Sequence, residues 1–125
     1  MESLFLGIDI STTGSKALLV NEKGVVVGSA ANEHPISTPK PLWSEQDPRD
    51  WWNASAKSIR EALAQAGVTG DAVKAVGLTG QMHGLVMMDE KGDVLRPAIL
   101  WNDQRTAEEC DEITRKVGFD KLLAI

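Results

Sequence analysis

Leu4-Phe5-Leu6-Gly7-Ile8-Asp9-Ile10-Ser11-Thr12-Thr13-Gly14-Ser15-Lys16-Ala17-Leu18-Leu19-Val20-Asn21 is the stretch that decides the fold. Leu4 to Ile10 is apolar except for Asp9, the pattern of a strand buried on both faces. A polar turn follows. Lys16 to Asn21 then predicts a second strand, Glu22-Lys23-Gly24 a tight turn, and Val25 to Ala31 a third strand, together a three-stranded antiparallel meander.

Pro35, Pro39 and Pro41 lie between His34 and Trp43. They fix φ and remove donors, which predicts an extended loop outside the sheet. Asp47-Pro48 reads as N-cap and first helical residue. Trp52, Ala56, Ile59, Leu63 and Ala66 then recur at helical spacing, predicting one apolar face of a helix that Gly67 ends. Val73 to Thr79 predicts a strand, laid parallel to Leu4–Ile10 by right-handed crossover geometry. Leu85 to Met88 and Val94 to Leu95 flank Asp89-Glu90-Lys91-Gly92-Asp93 as a hairpin, and Ala98 to Trp101 predicts a further short strand. A second helix is expected from about Asp103 to Val117, with Ala107, Cys110, Ile113 and Val117 inward and Gly118 closing it. The order βββ-α-β-(hairpin)-β-α defines an α/β fold with a mixed sheet.

Of 125 residues, 42% are hydrophobic and 25% charged, a globular composition. The net charge of −5, with no clustered Lys or Arg, argues against a nucleic-acid partner. Cys110 is the single cysteine, so no intrachain disulfide and no cysteine metal cage can form, which suits a reducing cytoplasm. Glu2 stands where a leader would be basic, and no apolar run approaches the roughly 20 residues of a membrane span. The apolar end Leu122-Leu123-Ala124-Ile125 reads as a cut inside a fold.

Two segments carry chemistry. In Asp9 to Lys16 a strand-end carboxylate meets hydroxyls, a glycine and a cation. Ser11, Thr12, Thr13 and Gly14 let backbone and hydroxyl groups approach phosphate, Lys16 offsets its charge, and Asp9 can hold Mg²⁺ directly or through water. The plainer alternative is a polar hairpin turn in which Thr12 and Thr13 bond their own backbone and Asp9 pairs with Lys16. Neither a P-loop nor a dinucleotide fingerprint occurs. The second segment is Gly80-Gln81-Met82-His83-Gly84, at the carboxyl end of a strand where ligands bind in α/β sheets, joined by Trp101-Asn102-Asp103-Gln104-Arg105. A neutral His83 can bond a substrate hydroxyl, Met82 offers an adaptable wall, and a Trp face beside Asn and Asp suits a polyol. Equally, His83 could be a satisfied structural residue, Asn102 or Asp103 a helix N-cap, and Trp101 a core aromatic.

Asp-Ile-Ser-Thr-Thr-Gly-Ser-Lys resembles the first phosphate motif of actin-like ATPases. Leu42-Trp43-Ser44-Glu45-Gln46-Asp47-Pro48, Trp51-Trp52, Gly80 to Gly84 and Arg96 to Arg105 together resemble the xylulokinase branch of the FGGY carbohydrate kinase family, over nearly the whole chain. The resemblance implies a ribonuclease-H-like (actin-like ATPase) domain, here incomplete. Residues 1–125 would be the first part of an N-terminal domain whose remainder, with the C-terminal domain, lies outside this chain. It implies ATP and Mg²⁺ as cofactors and ATP-dependent phosphorylation of a ketopentose, D-xylulose to D-xylulose 5-phosphate. Asp9 would be the metal-linked carboxylate, with Ser11, Thr12, Thr13, Gly14 and Lys16 at the phosphates. Gln81, Met82, His83, Trp101, Asn102 and Asp103 would be at the sugar, and the catalytic base in a later segment. Ser11 departs from the glycine common at its place, though a small hydroxyl residue leaves room for phosphate.

The expected partners are a small-molecule sugar and ATP, with no nucleic acid or membrane, and a homodimer of the complete protein is left open. A ribulose, gluconate or glycerol kinase of the same family, or a non-catalytic fragment binding sugar or a partner, are the alternatives. A ribonuclease-H-like nuclease would need further converging carboxylates, where Thr79-Gly80-Gln81 stands instead.

Overall fold

The computed structural model describes residues 3–124. Glu2 and Ile125, on which two of the expectations above partly rest, lie outside the described residues. Strands β1 (Leu4–Ile10), β2 (Gly14–Asn21) and β3 (Val26–Glu33) form the expected meander. A two-residue strand β4 (Glu45–Gln46) precedes helix α1 (Pro48–Ala66), and β5 (Val73–Gly80) pairs parallel with β1, giving the sheet order β3-β2-β1-β5. The short strand β6 (Ala98–Ile99) pairs antiparallel with β4, and helices α2 (Ala107–Val117) and α3 (Phe119–Leu123) follow. The hairpin is present as a bridge between Met88 and Val94. No helix among the described residues is long and apolar enough to cross a membrane.

Helix α1 has the expected limits because both caps act. Asp47 accepts from the Arg49 N–H at 2.9 Å, and Gly67 takes the left-handed conformation at φ 67°. Its inward face differs from expectation. Ala54, Ser55, Ser58 and Ala62 are buried, Ile59, Leu63 and Ala66 flank them, and Trp52 is 76% exposed. Small residues let the helix backbone approach the sheet, and apolar periodicity undercounts them. At Gly28 of β3 a Cβ would lie 2.3 Å from the Ala62 carbonyl oxygen, so only glycine fits that crossing. The Ser58 hydroxyl donates to the Ser15 carbonyl at 2.8 Å, fastening α1 to β2.

Two further expectations are corrected. β1 is buried on one face only: Leu4 and Leu6 join Ala17, Leu19 and Ala62 in the core under α1, while Phe5 and Asp9 are exposed on the other side. Helix α2 begins at Ala107, not Asp103, with Thr106 at its N-cap, and the residues expected inward, Ala107, Cys110, Ile113 and Val117, are exposed. Asp103 does not cap it, because its carboxylate is engaged elsewhere.

Candidate functional site

β1 and β5 run in the same direction, so their carboxyl ends share one edge, as in other α/β sheets. Asp9 sits there in register with Lys16 on β2 and Thr79 on β5, and Gly7 lies level with Gly77 just behind it. Side chains alternate along a strand, so Asp9 points to the open face of the sheet, and the paired glycines leave its floor bare. Two recesses meet at Asp9. One of about 410 Å³ is lined by Gly7, Asp9, Lys16, Gly77 and Thr79, and one of about 360 Å³ by Asp9, Ser11, Thr13, Gly14 and Lys16.

The turn from Ser11 to Gly14 holds itself by Ser11, whose amide and hydroxyl both donate to the Gly14 carbonyl at 2.9 Å. Neither Thr12 nor Thr13 bonds the turn's own backbone through its side chain. The Thr13 hydroxyl, the Lys16 ammonium and the Asp9 carboxylate engage no partner among the described residues, so the plain-turn pairing of Asp9 with Lys16 is not formed. Thr12 is gripped twice. Gln46 Nε2 donates to its carbonyl at 2.6 Å and Trp101 Nε1 to its hydroxyl oxygen at 3.0 Å, which leaves the hydroxyl proton free to donate outward.

The Gln81 amide donates to the Ile10 carbonyl at 2.8 Å, extending the β1–β5 ladder and starting the next loop beside Ser11. The Gln81 side chain turns inward, where Nε2 donates to Gln46 Oε1 at 3.1 Å. Met82 and His83 project outward, and His83 has φ 58°. A non-glycine residue in the left-handed region is uncommon, and such strain concentrates at sites that bind ligands.

Around Trp101 the expectations divide. The Trp101 ring is half exposed and bound to Thr12, not a core aromatic. Asn102 lines a separate recess with Lys40, Leu42 and Trp43. Asp103 is 2% exposed at its side chain, and both its oxygens are committed. Oδ2 accepts from the Ser44 amide and Arg105 Nη2 at 2.6 Å each, and Oδ1 from the Arg105 amide at 2.9 Å and Nε at 2.8 Å. Four donors fill the acceptor positions of a carboxylate, so in this arrangement Asp103 has none left for a sugar hydroxyl. Arg105 holds Asp103 well below the usual carboxylate range, the Ser44 amide adding to the effect, and the pair raises Arg105 in turn. Arg105 also donates to Glu45 Oε1 at 2.7 Å and stacks 3.6 Å above the Trp43 ring, while Arg96 shares Glu45 Oε1 at 2.8 Å. Burial lowers His34 below the ordinary histidine value, and its Nδ1 faces Gln46 Nε2 at 3.1 Å.

Glu45, Gln46, Arg96 and Arg105 were invisible as site-building residues in the sequence, where only their membership of resembling segments marked them. Their partners are as many as 60 positions away, a range that spacing cannot read.

The fold and this edge define an α/β domain of the actin-like ATPase, ribonuclease-H-like kind, with a polar turn after a strand-borne carboxylate. The chain belongs to the FGGY family of carbohydrate kinases, whose N-terminal domain matches residues 4–125. It is 47% identical over 120 residues to the xylulose kinase of Klebsiella pneumoniae and 46% to that of Escherichia coli (strain K12), in each case over 96% of this chain and 24% of the relative. The solved xylulose kinase from Rhodospirillum rubrum is similar with a TM-score of 0.88 at 32% identity, over 97% of this chain and 25% of that one. The chain thus spans about a quarter of the length of these relatives.

Proposed function

We propose that the complete protein transfers the γ-phosphoryl group of ATP to the terminal hydroxyl of D-xylulose, giving D-xylulose 5-phosphate and ADP in the cytoplasm. Residues 1–125 serve as the first part of the N-terminal domain, and the base that takes the hydroxyl proton lies in a later segment. The observation that carries the reading is the 3.0 Å bond from Trp101 Nε1 to Thr12 Oγ1, which joins the sugar segment to the phosphate turn. The relatives named xylulose kinase support the choice of sugar.

The donor set suits a polyphosphate. Thr13 offers a hydroxyl proton and Lys16 a free ammonium at the recess that Asp9 borders, and the neighbouring Thr12 keeps its own hydroxyl proton available in the same turn. Asp9 brings a carboxylate to this recess, and a Mg²⁺ site can be made of one or two carboxylates, waters and substrate phosphates. Asp9 would hold Mg²⁺ there, through water, and the ion would supply charge neutralisation. Trp101 gives the sugar an apolar face, Met82 and His83 its wall and a hydroxyl partner, and Gln81 and Asp103 position these groups from behind. Asn102 follows Trp101 but lines the separate recess beside Trp43, and its expected sugar contact is not retained.

The test is ADP release by the full-length protein with D-xylulose, D-ribulose, D-gluconate and glycerol in parallel. The reading expects D-xylulose to give the highest kcat/KM by at least about tenfold, a difference of about 1.4 kcal/mol. Preference for another sugar, or no sugar-dependent ADP release, would overturn it.

A further inference from the structure

Gln46 is 2% exposed and its amide is fully engaged. Oε1 accepts from Trp51 Nε1 at 2.8 Å and from Gln81 Nε2 at 3.1 Å, while Nε2 faces the Thr12 carbonyl at 2.6 Å, the Pro35 carbonyl at 3.1 Å and His34 Nδ1 at 3.1 Å. The indole N–H can only donate, which fixes the amide orientation. Gln46 therefore joins helix α1, the proline loop, the Gln81–His83 loop and the phosphate turn through one side chain. Its strand partner is Ala98, and the chain running on from β6 carries Trp101, the second group holding Thr12.

We propose that Gln46 is a positioning residue that, with the Trp101 indole N–H, couples the two substrate sites: filling the sugar pocket fixes Thr12 and so tightens nucleotide binding. This rests on the function proposed above. Gln46 touches neither substrate. A sugar that orders Trp101 and the Gln81–His83 loop restrains both groups that hold Thr12, whose hydroxyl oxygen accepts from Trp101 and so keeps its proton available to donate. Restraint of the turn in advance removes part of the ordering entropy that nucleotide binding otherwise bears.

The experiment is calorimetric titration of the full-length protein with Mg²⁺ and a non-hydrolysable ATP analogue, with and without saturating D-xylulose. The ratio of the two dissociation constants is the coupling factor, and titrating the sugar with and without the analogue must return the same factor. Wild type is expected to show a factor of at least about 5, the low end of the usual range. Gln46→Met, which keeps length but removes both hydrogen-bonding groups, should bring it to within about twofold of unity. Gln46→Glu keeps the acceptor toward Trp51 and Gln81 and loses the donor to Thr12, and Trp101→Phe keeps an exposed ring without the N–H. Both should lower the factor in the same way. A residue that only packs would lower the melting temperature and leave the factor unchanged. A wild-type factor near unity, or an undiminished factor in the variants, overturns the coupling while leaving the kinase reading intact. Absence of sugar and nucleotide binding in wild type overturns both. Should the Gln46 variants fail to fold, Trp101→Phe decides, because its ring is at the surface.

Discussion

Arg105→Ala should destabilise the full-length protein by about 3.5–5 kcal/mol, because it strips the cation from a buried network and removes its stacking on Trp43. The Arg105 side chain is 10% exposed, Asp103 2% and Glu45 11%. Removing one partner of a buried pair leaves the other charge uncompensated, at about 3–5 kcal/mol. Glu45 keeps Arg96, which places the loss toward the low end, while Asp103 keeps only the backbone amides of Ser44 and position 105. The lost stacking on Trp43 adds about 0.5–2 kcal/mol. Urea unfolding followed by tryptophan fluorescence measures the difference, provided the slope is unchanged. The pH dependence adds a second constraint. Asp103 is held below its unfolded value of 3.8, so its contribution is fully present above that value and is lost as pH falls through and below it. The gap between wild type and variant should be level from about pH 5 to 8 and should narrow below about pH 4. A loss under about 1 kcal/mol, typical of exposed pairs, would refute the account of Arg105 as the clamp on Asp103.

Asp9→Asn should lower kcat at least about a hundredfold with little change in sugar affinity, since metal and phosphate placement matters most in the transition state. Near wild-type kcat at saturating Mg²⁺ would make Asp9 a structural residue. His83→Ala should lower kcat/KM for D-xylulose by roughly tenfold to a hundredfold, from about 1–3 kcal/mol for an unsatisfied hydroxyl partner, and leave KM for ATP nearly unchanged. Equal losses for both substrates with a lower melting temperature would assign His83 to packing. His34 is held neutral by burial against an unfolded value of 6.5. Below that pH the unfolded chain binds more protons than the native state, so stability should fall as pH drops through 6.5 until the lowered native value is passed. His34→Gln should flatten that limb of a urea midpoint series, and an unaltered slope would place the titration elsewhere.

The meander, α1 and the parallel β5 were legible because each is written locally: alternating or continuous apolar runs, an Asp-Pro start, a glycine stop. The inward face of α1 was not. Ser55, Ser58 and Ala62 are buried because the helix lies close against Gly28 and Ser15, a fact of packing distance rather than periodicity. For the same reason the apolar stripe of α2 gave a correct helix and an incorrect burial, since a stripe states that a partner is wanted and not that it lies within these residues. In the site, residue types at strand ends were readable, whereas the occupancy of Asp103 by Arg105 and Ser44 was not, because any carboxylate before a helix looks like a cap.

Two strand pairings assemble this edge, one long and one very short. β1 and β5 alone bring Asp9 and the Gln81–His83 loop together, since parallel neighbours end on the same side. Trp101 is drawn in differently. β4 and β6 form only a two-residue ladder, yet one end of it carries Gln46 and the chain beyond the other carries Trp101, and both reach Thr12. So short a pairing cannot stand on its own. It is held by Glu45 between Arg96 and Arg105, and by Asp103 across to the Ser44 amide. Clamping Arg105 onto Asp103 and Glu45 therefore fixes the register of β4 on β6, and that register sets the two groups that hold the Ser11–Gly14 turn. Stability of the clamp and geometry of the turn are linked in this way, so the Arg105 variant should also reduce the nucleotide affinity of the full-length protein, even though Arg105 lies outside the recess that Asp9 borders.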